Sequence, residues 1–359
     1  MTDLILAIDQ GTTGSTIALM DTGGRLLTSV NHEFPQIFPR PGWVEHDPES
    51  IWQSVLKGLT AIFSDTEYAA SQVAAIGITN QRETVVLWDS QTGQAVHNAI
   101  VWQCRRTTDV CEDLKAAGHE ALIKSKSGLV LDPYFSATKL KWLLDNAPTA
   151  KSLLAEGRLL AGTIDTFLIW RLSNGKVHKT DVSNASRTSL VSLETLDWDG
   201  ELLDIFGVPR DILPEICPSS GRFALTAGVP GLPDGLPVSG VAGDQQSALF
   251  GQACFDPGDA KCTFGTGSFI LMNVGNSPIA SDSGLLSTVA WQLEGQDAVF
   301  ALEGGAFVCG AAVQWLRDQL GIIDRAEDIE ALAESVESAG GVEFVPALAG
   351  LGAPYWAPE

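Results

Sequence analysis

The sequence predicts an α/β protein built as two domains, on three observations. Its 359 residues suggest two domains at ~150 residues each. A unit of strand, Gly/Thr-rich turn and strand occurs twice, at 4–20 and again at 260–274. Helical periodicity occupies 106–117 and 135–144, beyond the first strands. Apolar types at 45 % with 36 Gly and 17 Pro in no repeat period exclude disordered and collagen-like chains.

The elements follow in order. Residues 4–8 form a short apolar strand that runs into Asp9-Gln10-Gly11-Thr12-Thr13-Gly14-Ser15, and strands at 16–20 and 25–30 complete a meander around the turn at 21–24. Asp47-Pro48-Glu49 supplies an N-cap, a proline at the first helical position and an early acid, which predicts a helix over 48–63. A buried strand at 73–79 leads into Asn80-Gln81-Arg82-Glu83-Thr84, and strands follow at 85–89 and 99–102. Pro148 ends the helical stretch, and the Gly- and Pro-rich passage 228–237 separates the first body of the chain, with a domain boundary soon after it.

Charge narrows the function. Lys+Arg 22 against Asp+Glu 44 leaves −22, a field that repels phosphate backbones, so no nucleic acid is expected as partner. The uncharged run 262–281 is broken by Gly, Asn, Ser and Pro and reads as no membrane span, and Met1-Thr2-Asp3 opens no export signal. Six scattered cysteines without a C-x-x-C pair suit reduced thiols in the cytoplasm, and no zinc spacing is present. The only Gly-Lys pair, Gly175-Lys176, precedes Val177, so there is no Walker loop, and neither G-x-G-x-x-G nor G-x-S-x-G occurs.

The remaining candidates each carry two readings. Gln10 to Ser15 is either an ordinary hairpin turn or a cradle of backbone donors for phosphate, with Asp9 placed to hold water on Mg²⁺. Arg82-Glu83 is either a surface ion pair or a grip for neighbouring hydroxyls of a polyol. Asp244, after the small residues Gly240-Val241-Ala242-Gly243, is either an N-cap or the base for an attacking hydroxyl. Trp102 and Tyr134 either wall a pocket or fill a core. The S-x-x-K patterns at Ser54/Lys57, Ser136/Lys139 and Ser173/Lys176 read as helix or turn surface, and Asp181, Asn184 and Arg187 form an unassigned polar loop.

Taken together, Asp9-Gln10-Gly11-Thr12-Thr13, Gly42-Trp43-Val44-Glu45-His46-Asp47-Pro48, Ile78-Thr79-Asn80-Gln81-Arg82-Glu83-Thr84, Gly243-Asp244-Gln245-Gln246, Phe264-Gly265-Thr266-Gly267-Ser268, Gln314-Trp315-Leu316-Arg317-Asp318 and Gly350-Leu351-Gly352-Ala353-Pro354-Tyr355-Trp356 resemble, in order, the FGGY family of carbohydrate kinases. The resemblance covers essentially the whole chain. It implies the actin/hexokinase/Hsp70-like ATPase fold, two ribonuclease-H-like domains around a cleft, here residues 1–248 and a partial second domain 249–359. It also implies ATP-dependent phosphorylation of glycerol to sn-glycerol 3-phosphate. Another sugar kinase of the family, a ligand-binding fragment and a chaperone- or actin-like ATPase stand as alternatives.

By this resemblance Arg82, Glu83, Tyr134, Asp244 and Gln245 hold glycerol against the walls Trp102 and Phe269, with Asp244 as base. Thr12, Thr13 and Gly14 meet the phosphates, Gly265, Thr266, Gly310 and Gln314 meet the nucleotide, and Asp9 and Asp244 stand near Mg²⁺. Thr16 occupies a position where some relatives carry a phosphate-touching Arg, and 228–237 lacks the basic residue that some bacterial relatives use for fructose-bisphosphate inhibition. The chain stops after Tyr355-Trp356-Ala357-Pro358-Glu359, short of the family's usual end. A cytoplasmic homo-oligomer, dimer or tetramer, is the expected assembly.

Overall fold

A computed structural model describes residues 3–64, 66–347 and 350–357. Alternation builds the first strand, Leu4–Gln10, where Leu4, Leu6 and Ile8 point into the core. It pairs antiparallel with Gly14–Asp21, which pairs antiparallel with Leu26–Glu33, so the meander forms as expected. On its other side Leu4–Gln10 runs parallel to Val73–Asn80, and that strand runs parallel to Pro237–Gly243. Ser220–Leu225 closes this six-stranded sheet.

The helix Pro48–Ala61 covers one face of it. The Asp47 carboxylate accepts from the backbone N–H groups of Glu49 and Ser50, satisfying two donors that helix geometry leaves unpaired. Gly58 lets the helix lie close, since a Cβ there would come within 2.4 Å of Ile17 Cγ1. A second sheet of Glu45–His46, Ala99–Ile100, Val85–Asp89 and Leu159–Thr163 packs under the helices Thr108–Ala116 and Ser136–Asn146. The first of these starts two residues later than the periodicity suggests. Arg106 is drawn out of it, paired with Glu45 at 2.7 Å and lying over the rings of Trp43 and Trp142.

Two expectations are corrected. The passage 228–237 is no spacer between bodies: it links Ser220–Leu225 to Pro237–Gly243, which pair antiparallel in the first sheet. The S-x-x-K residues are not all surface either. Ser54, Ser136 and Ser173 are buried, and so is Lys139, whose ammonium donates to the carbonyls of Pro133, Tyr134 and Phe135. Three carbonyl acceptors make that burial tolerable, and desolvation draws the Lys139 pKa down to about 8.

The second body holds a four-stranded antiparallel sheet in the order Ala260–Phe264, Ser268–Gly275, Ala298–Ala306, Leu286–Gln292. One apolar cluster joins the two bodies, packing Leu129, Tyr134 and Phe135 against Leu249, Phe269 and Leu271. All six cysteines are free, and no helix among the described residues is long and apolar enough to cross a membrane.

Candidate active site

Strand register assembles the site. Gln10 lies opposite Asn80, and Asn80 opposite Gly243, so Asp9, Arg82 and Asp244 arrive together at the carboxyl ends of three neighbouring parallel strands. Open α/β sheets bind ligands at such ends, because the chain must leave the sheet there. The polar loop left unassigned by the sequence holds these ends in place. Asn184 exchanges two 3.0 Å hydrogen bonds with Asn80, and the Ser183 hydroxyl accepts from the Gly243 N–H at 3.0 Å. Asp181 caps that short turn through the N–H groups of Ser183 and Asn184.

The first hairpin is a tight turn, with the Gly11 N–H donating to the Gly14 carbonyl at 2.9 Å. Its other carbonyls face inward: Gly11 accepts from Gln81 Nε2 at 3.2 Å and Thr12 from Gln36 Nε2 at 3.0 Å. Trp102 donates its indole N–H to Thr12 Oγ1 at 3.0 Å, tying the pocket wall to the loop, while Thr13 stays exposed. Thr16 sits in the strand beside Asp9, its hydroxyl accepting from Asn31 Nδ2 at 2.9 Å.

The second hairpin repeats the turn, Gly265 N–H to Gly267 carbonyl at 2.9 Å. Here the carbonyls are used differently. Gly265 accepts from the N–H of Gly310 at 2.8 Å, and Thr266 from those of Cys309 and Ala311 at 2.9 and 3.2 Å, so the loop caps the helix Gly310–Asp318. A Cβ at Gly310 would stand 2.6 Å from the Gly265 carbonyl oxygen, which is why glycine is needed for this approach. Gln314 lies exposed about one turn along that helix.

Between the hairpins Arg82 and Glu83 lie in a buried cluster of charged and polar side chains, larger than the sequence suggests. Arg82, almost fully buried, donates both terminal nitrogens to Glu303, at 2.5 and 3.1 Å, and one of them to the Tyr134 hydroxyl at 3.2 Å. Its Nε lies 3.3 Å from Asp244 Oδ1. Arg187 donates Nε to Glu83 at 2.7 Å and a terminal nitrogen to Glu303 at 2.8 Å. Glu83 takes a left-handed backbone, φ 61°, unusual for a residue with a side chain, so the turn after Val73–Asn80 is held by its surroundings.

Sequence reasoning missed Glu303 altogether and left Arg187 without a role. The usable signal was a lone acid inside the apolar and glycine strand Ala298–Ala306, since a carboxylate buried there requires cationic partners. Of the expected residues, Arg82, Glu83, Tyr134, Asp244, Gln245, Trp102 and Phe269 do converge. Trp102 meets Tyr134 and Phe269 edge to face, at 5.8 and 6.0 Å between ring centroids, forming an apolar corner beside the polar grip.

The electrostatics separate these groups. Burial lifts the Asp244 carboxyl above the usual range, and the Arg82 guanidinium only partly offsets it. Asp9 is pushed up to about 6, first by its recessed position and then by the charge of Asp244. Burial would raise Glu303 as well, but Arg187 and Arg82 outweigh it and hold it low. Burial keeps Tyr134 a neutral hydroxyl. Two carboxylates that repel one another at a cleft suit a hard divalent ion bound through carboxylates and phosphates. No group of three or more His, Cys, Asp and Glu side chains among the described residues could hold a metal by itself.

Two glycine hairpins flanking a buried polar cluster with a partly exposed carboxylate at its edge suit a carbohydrate kinase, and comparison agrees. Residues 4–251 match the N-terminal domain of the FGGY family of carbohydrate kinases and residues 260–359 its C-terminal domain, so the chain belongs to this family. It is similar to a glycerol kinase of Bdellovibrio bacteriovorus, 58 % identical over all of this chain and 72 % of that protein. A glycerol kinase of Symbiobacterium thermophilum is 56 % identical over 98 % of this chain and 70 % of its own length. Among solved structures, Plasmodium falciparum glycerol kinase with ADP superposes with TM-score 0.89 at 37 % identity, over the whole chain and 71 % of that structure. A gluconate kinase from Lactobacillus acidophilus, TM-score 0.86 at 24 % identity, shares the fold.

Proposed function

We propose that this protein transfers the terminal phosphoryl group of ATP to glycerol, giving sn-glycerol 3-phosphate and ADP, with Asp244 as the general base. The observation that carries the reading is the Asp244 carboxylate, partly open to the cleft, 3.3 Å from Arg82 Nε and next in line after a parallel strand of the first sheet. The glycerol kinases named above, at 56 and 58 % identity, support glycerol as the substrate.

The chemistry follows from the residues. Arg82 and Glu83 orient neighbouring hydroxyls, while Trp102, Tyr134 and Phe269 face the carbons. Asp244 takes the proton of the attacking hydroxyl as its oxygen bonds to the terminal phosphorus, and the bond from that phosphorus to the leaving ADP oxygen breaks. Thr12, Thr13 and Gly14 on one side and Gly265, Thr266, Gly310 and Gln314 on the other would cup the phosphates and nucleotide. Asp9 and Asp244 are the residues that would hold Mg²⁺, which supplies neutralisation of phosphate charge when bound. Most of the acceleration is then positioning and charge stabilisation, because the loose transition state asks little covalent work of the protein.

The helix Asp244–Gly251, which packs against strands of both sheets, supports a division of the chain near residue 248. A dimeric or tetrameric cytoplasmic assembly is part of the same reading, and sedimentation of the natural protein tests it. The deciding experiment is a coupled ADP assay with glycerol, pentuloses and gluconate. Turnover that strongly prefers glycerol is expected, and a preference for a pentulose or gluconate overturns the substrate. ATP turnover that glycerol does not stimulate overturns the kinase reading itself.

A further inference from the structure

We propose that His46 is a positioning residue for the phosphate-binding hairpin: as the Nε2–H tautomer it fixes the carboxamides of Gln36 and Gln81, which draw the hairpin's carbonyls inward and leave its N–H groups for phosphate. The inference rests on the reading of Thr12 and Thr13 as contacts to the phosphates of ATP.

His46 is buried on the short strand Glu45–His46 of the second sheet, and the ring of Phe34 meets it edge to face at 5.0 Å between centroids. Gln36 Nε2 lies 3.0 Å from the Thr12 carbonyl and 3.3 Å from that of Phe34, and carbonyls accept only from the NH₂ end of a carboxamide. The Gln36 oxygen is then the atom 2.7 Å from His46 Nε2, and since it carries no hydrogen the ring must donate there. On the other edge, His46 Nδ1 lies 3.3 Å from Gln81 Nε2, whose hydrogens also face Gln10 Oε1 at 3.0 Å and the Gly11 carbonyl at 3.2 Å. The Gln81 oxygen accepts from Thr84 Oγ1 at 3.0 Å, so this amide too is fixed in orientation and Nδ1 is the bare nitrogen that accepts from it. One tautomer meets both contacts. Burial brings the pKa of the ring down to about 4, which keeps Nδ1 bare.

The consequence falls on the polarity of the hairpin. The Gly11 carbonyl accepts from Gln81, that of Thr12 from Gln36, that of Thr13 from the Phe34 N–H at 3.3 Å, and that of Gly14 from the Gly11 N–H at 2.9 Å. Among the described residues the N–H groups of Thr12 and Thr13 meet no acceptor. Carbonyls bound inward with N–H groups left outward make a concavity for an anion, and a ring from another sheet maintains that polarity. Without the Nε2–H the Gln36 oxygen loses its donor, and the carboxamide is free to turn that oxygen onto the Thr12 carbonyl, which repels it and releases the peptide.

The test reads the two substrates separately in the natural full-length protein. His46→Leu is expected to raise KM for ATP about tenfold, the scale of one lost hydrogen bond, with KM for glycerol within about twofold of wild type. His46→Gln, whose amide nitrogen can stand where Nε2 stood, should recover most of that loss. Calorimetric binding of a non-hydrolysable ATP analogue should weaken in parallel, and Gln36→Leu should cost less in a His46→Leu background than alone, because both act on one carbonyl. The nitrogen-15 spectrum of the wild type should show a protonated Nε2 and a bare Nδ1. A well-folded His46→Leu with unchanged KM for ATP, or with KM for glycerol raised as much, overturns the assignment, as does a bare Nε2. If His46→Leu does not fold, Gln36→Leu must weaken the analogue, and unchanged binding there overturns it. A wild type that does not phosphorylate glycerol, with analogue binding still lowered in His46→Leu, overturns the glycerol reading alone, whereas an active wild type whose variants bind the analogue as tightly removes only the role of His46.

Discussion

The two sides of Arg82 hold carboxylates of opposite character. Behind it, Glu303 is sealed between the bodies, accepts from two guanidiniums and is held low in pKa. In front, the Asp244 side chain is 36 % exposed, faces one guanidinium nitrogen at 3.3 Å, and is raised. A buried carboxylate that accepts three hydrogen bonds from guanidiniums is held ionised and serves to hold structure together. One left partly unsatisfied at a cleft can accept a proton, and that distinction is why we propose Asp244 rather than Glu303 as the base.

The sharpest way to break this comparison is to neutralise each acid in turn. Asp244→Asn is expected to lower kcat by ~10³-fold while glycerol binding, measured calorimetrically, changes little. An equal fall in kcat for a well-folded Glu303→Gln would erase the contrast. For Glu303→Gln the expected loss is stability, about 3–5 kcal/mol by denaturant unfolding, because two buried guanidiniums lose their shared counter-charge. A loss below about 1 kcal/mol, the range of exposed pairs, would show that the cluster is not sealed.

The pH dependence sharpens the front side. A base must be ionised, so activity should fall as pH falls through a raised carboxyl pKa. With Asp244 raised and Asp9 near 6, the acid limb is expected well above the ~4 of free carboxyls, and a limb at ~4 would contradict the geometry.

The smallest expected effect concerns Asp165, a third buried carboxyl, which accepts from the hydroxyls of Thr163 and Thr180 and the backbone of Thr166 and faces the charge of Asp181. Burial and then Asp181 push its pKa from 3.8 to about 7, so across that window the folded protein keeps a proton that the unfolded chain releases. Stability should therefore fall as pH rises from about 4 to 7 and level off beyond. Asp165→Asn should raise the melting temperature at pH 8 relative to wild type and do little at pH 4; equal melting at both values would refute it.

The two hairpins carry a further lesson about what local sequence contains. Both were legible, because glycine and threonine between short apolar strands dictate a tight turn wherever they occur. Their surroundings were not. The first hairpin stands beside parallel strands whose ends carry Asp9, Arg82 and Asp244, whereas the second belongs to an antiparallel sheet and caps a helix. The misread passage 228–237 has the same origin: its glycines and prolines mark a turn but not whether the strands on either side share a sheet.

By itself the sequence determined the strands around the two hairpins, the Asp47-capped helix, the turns and the residues whose chemistry suits a polyol kinase, since each depends on neighbours within a few positions. Only the tertiary structure decided that Arg82 meets Glu303 across 221 positions and that Lys261, on a strand of the second body, faces Gln245 on the helix Asp244–Gly251. Buried charges must find partners wherever the packed chain brings them, and no local pattern records where that will be.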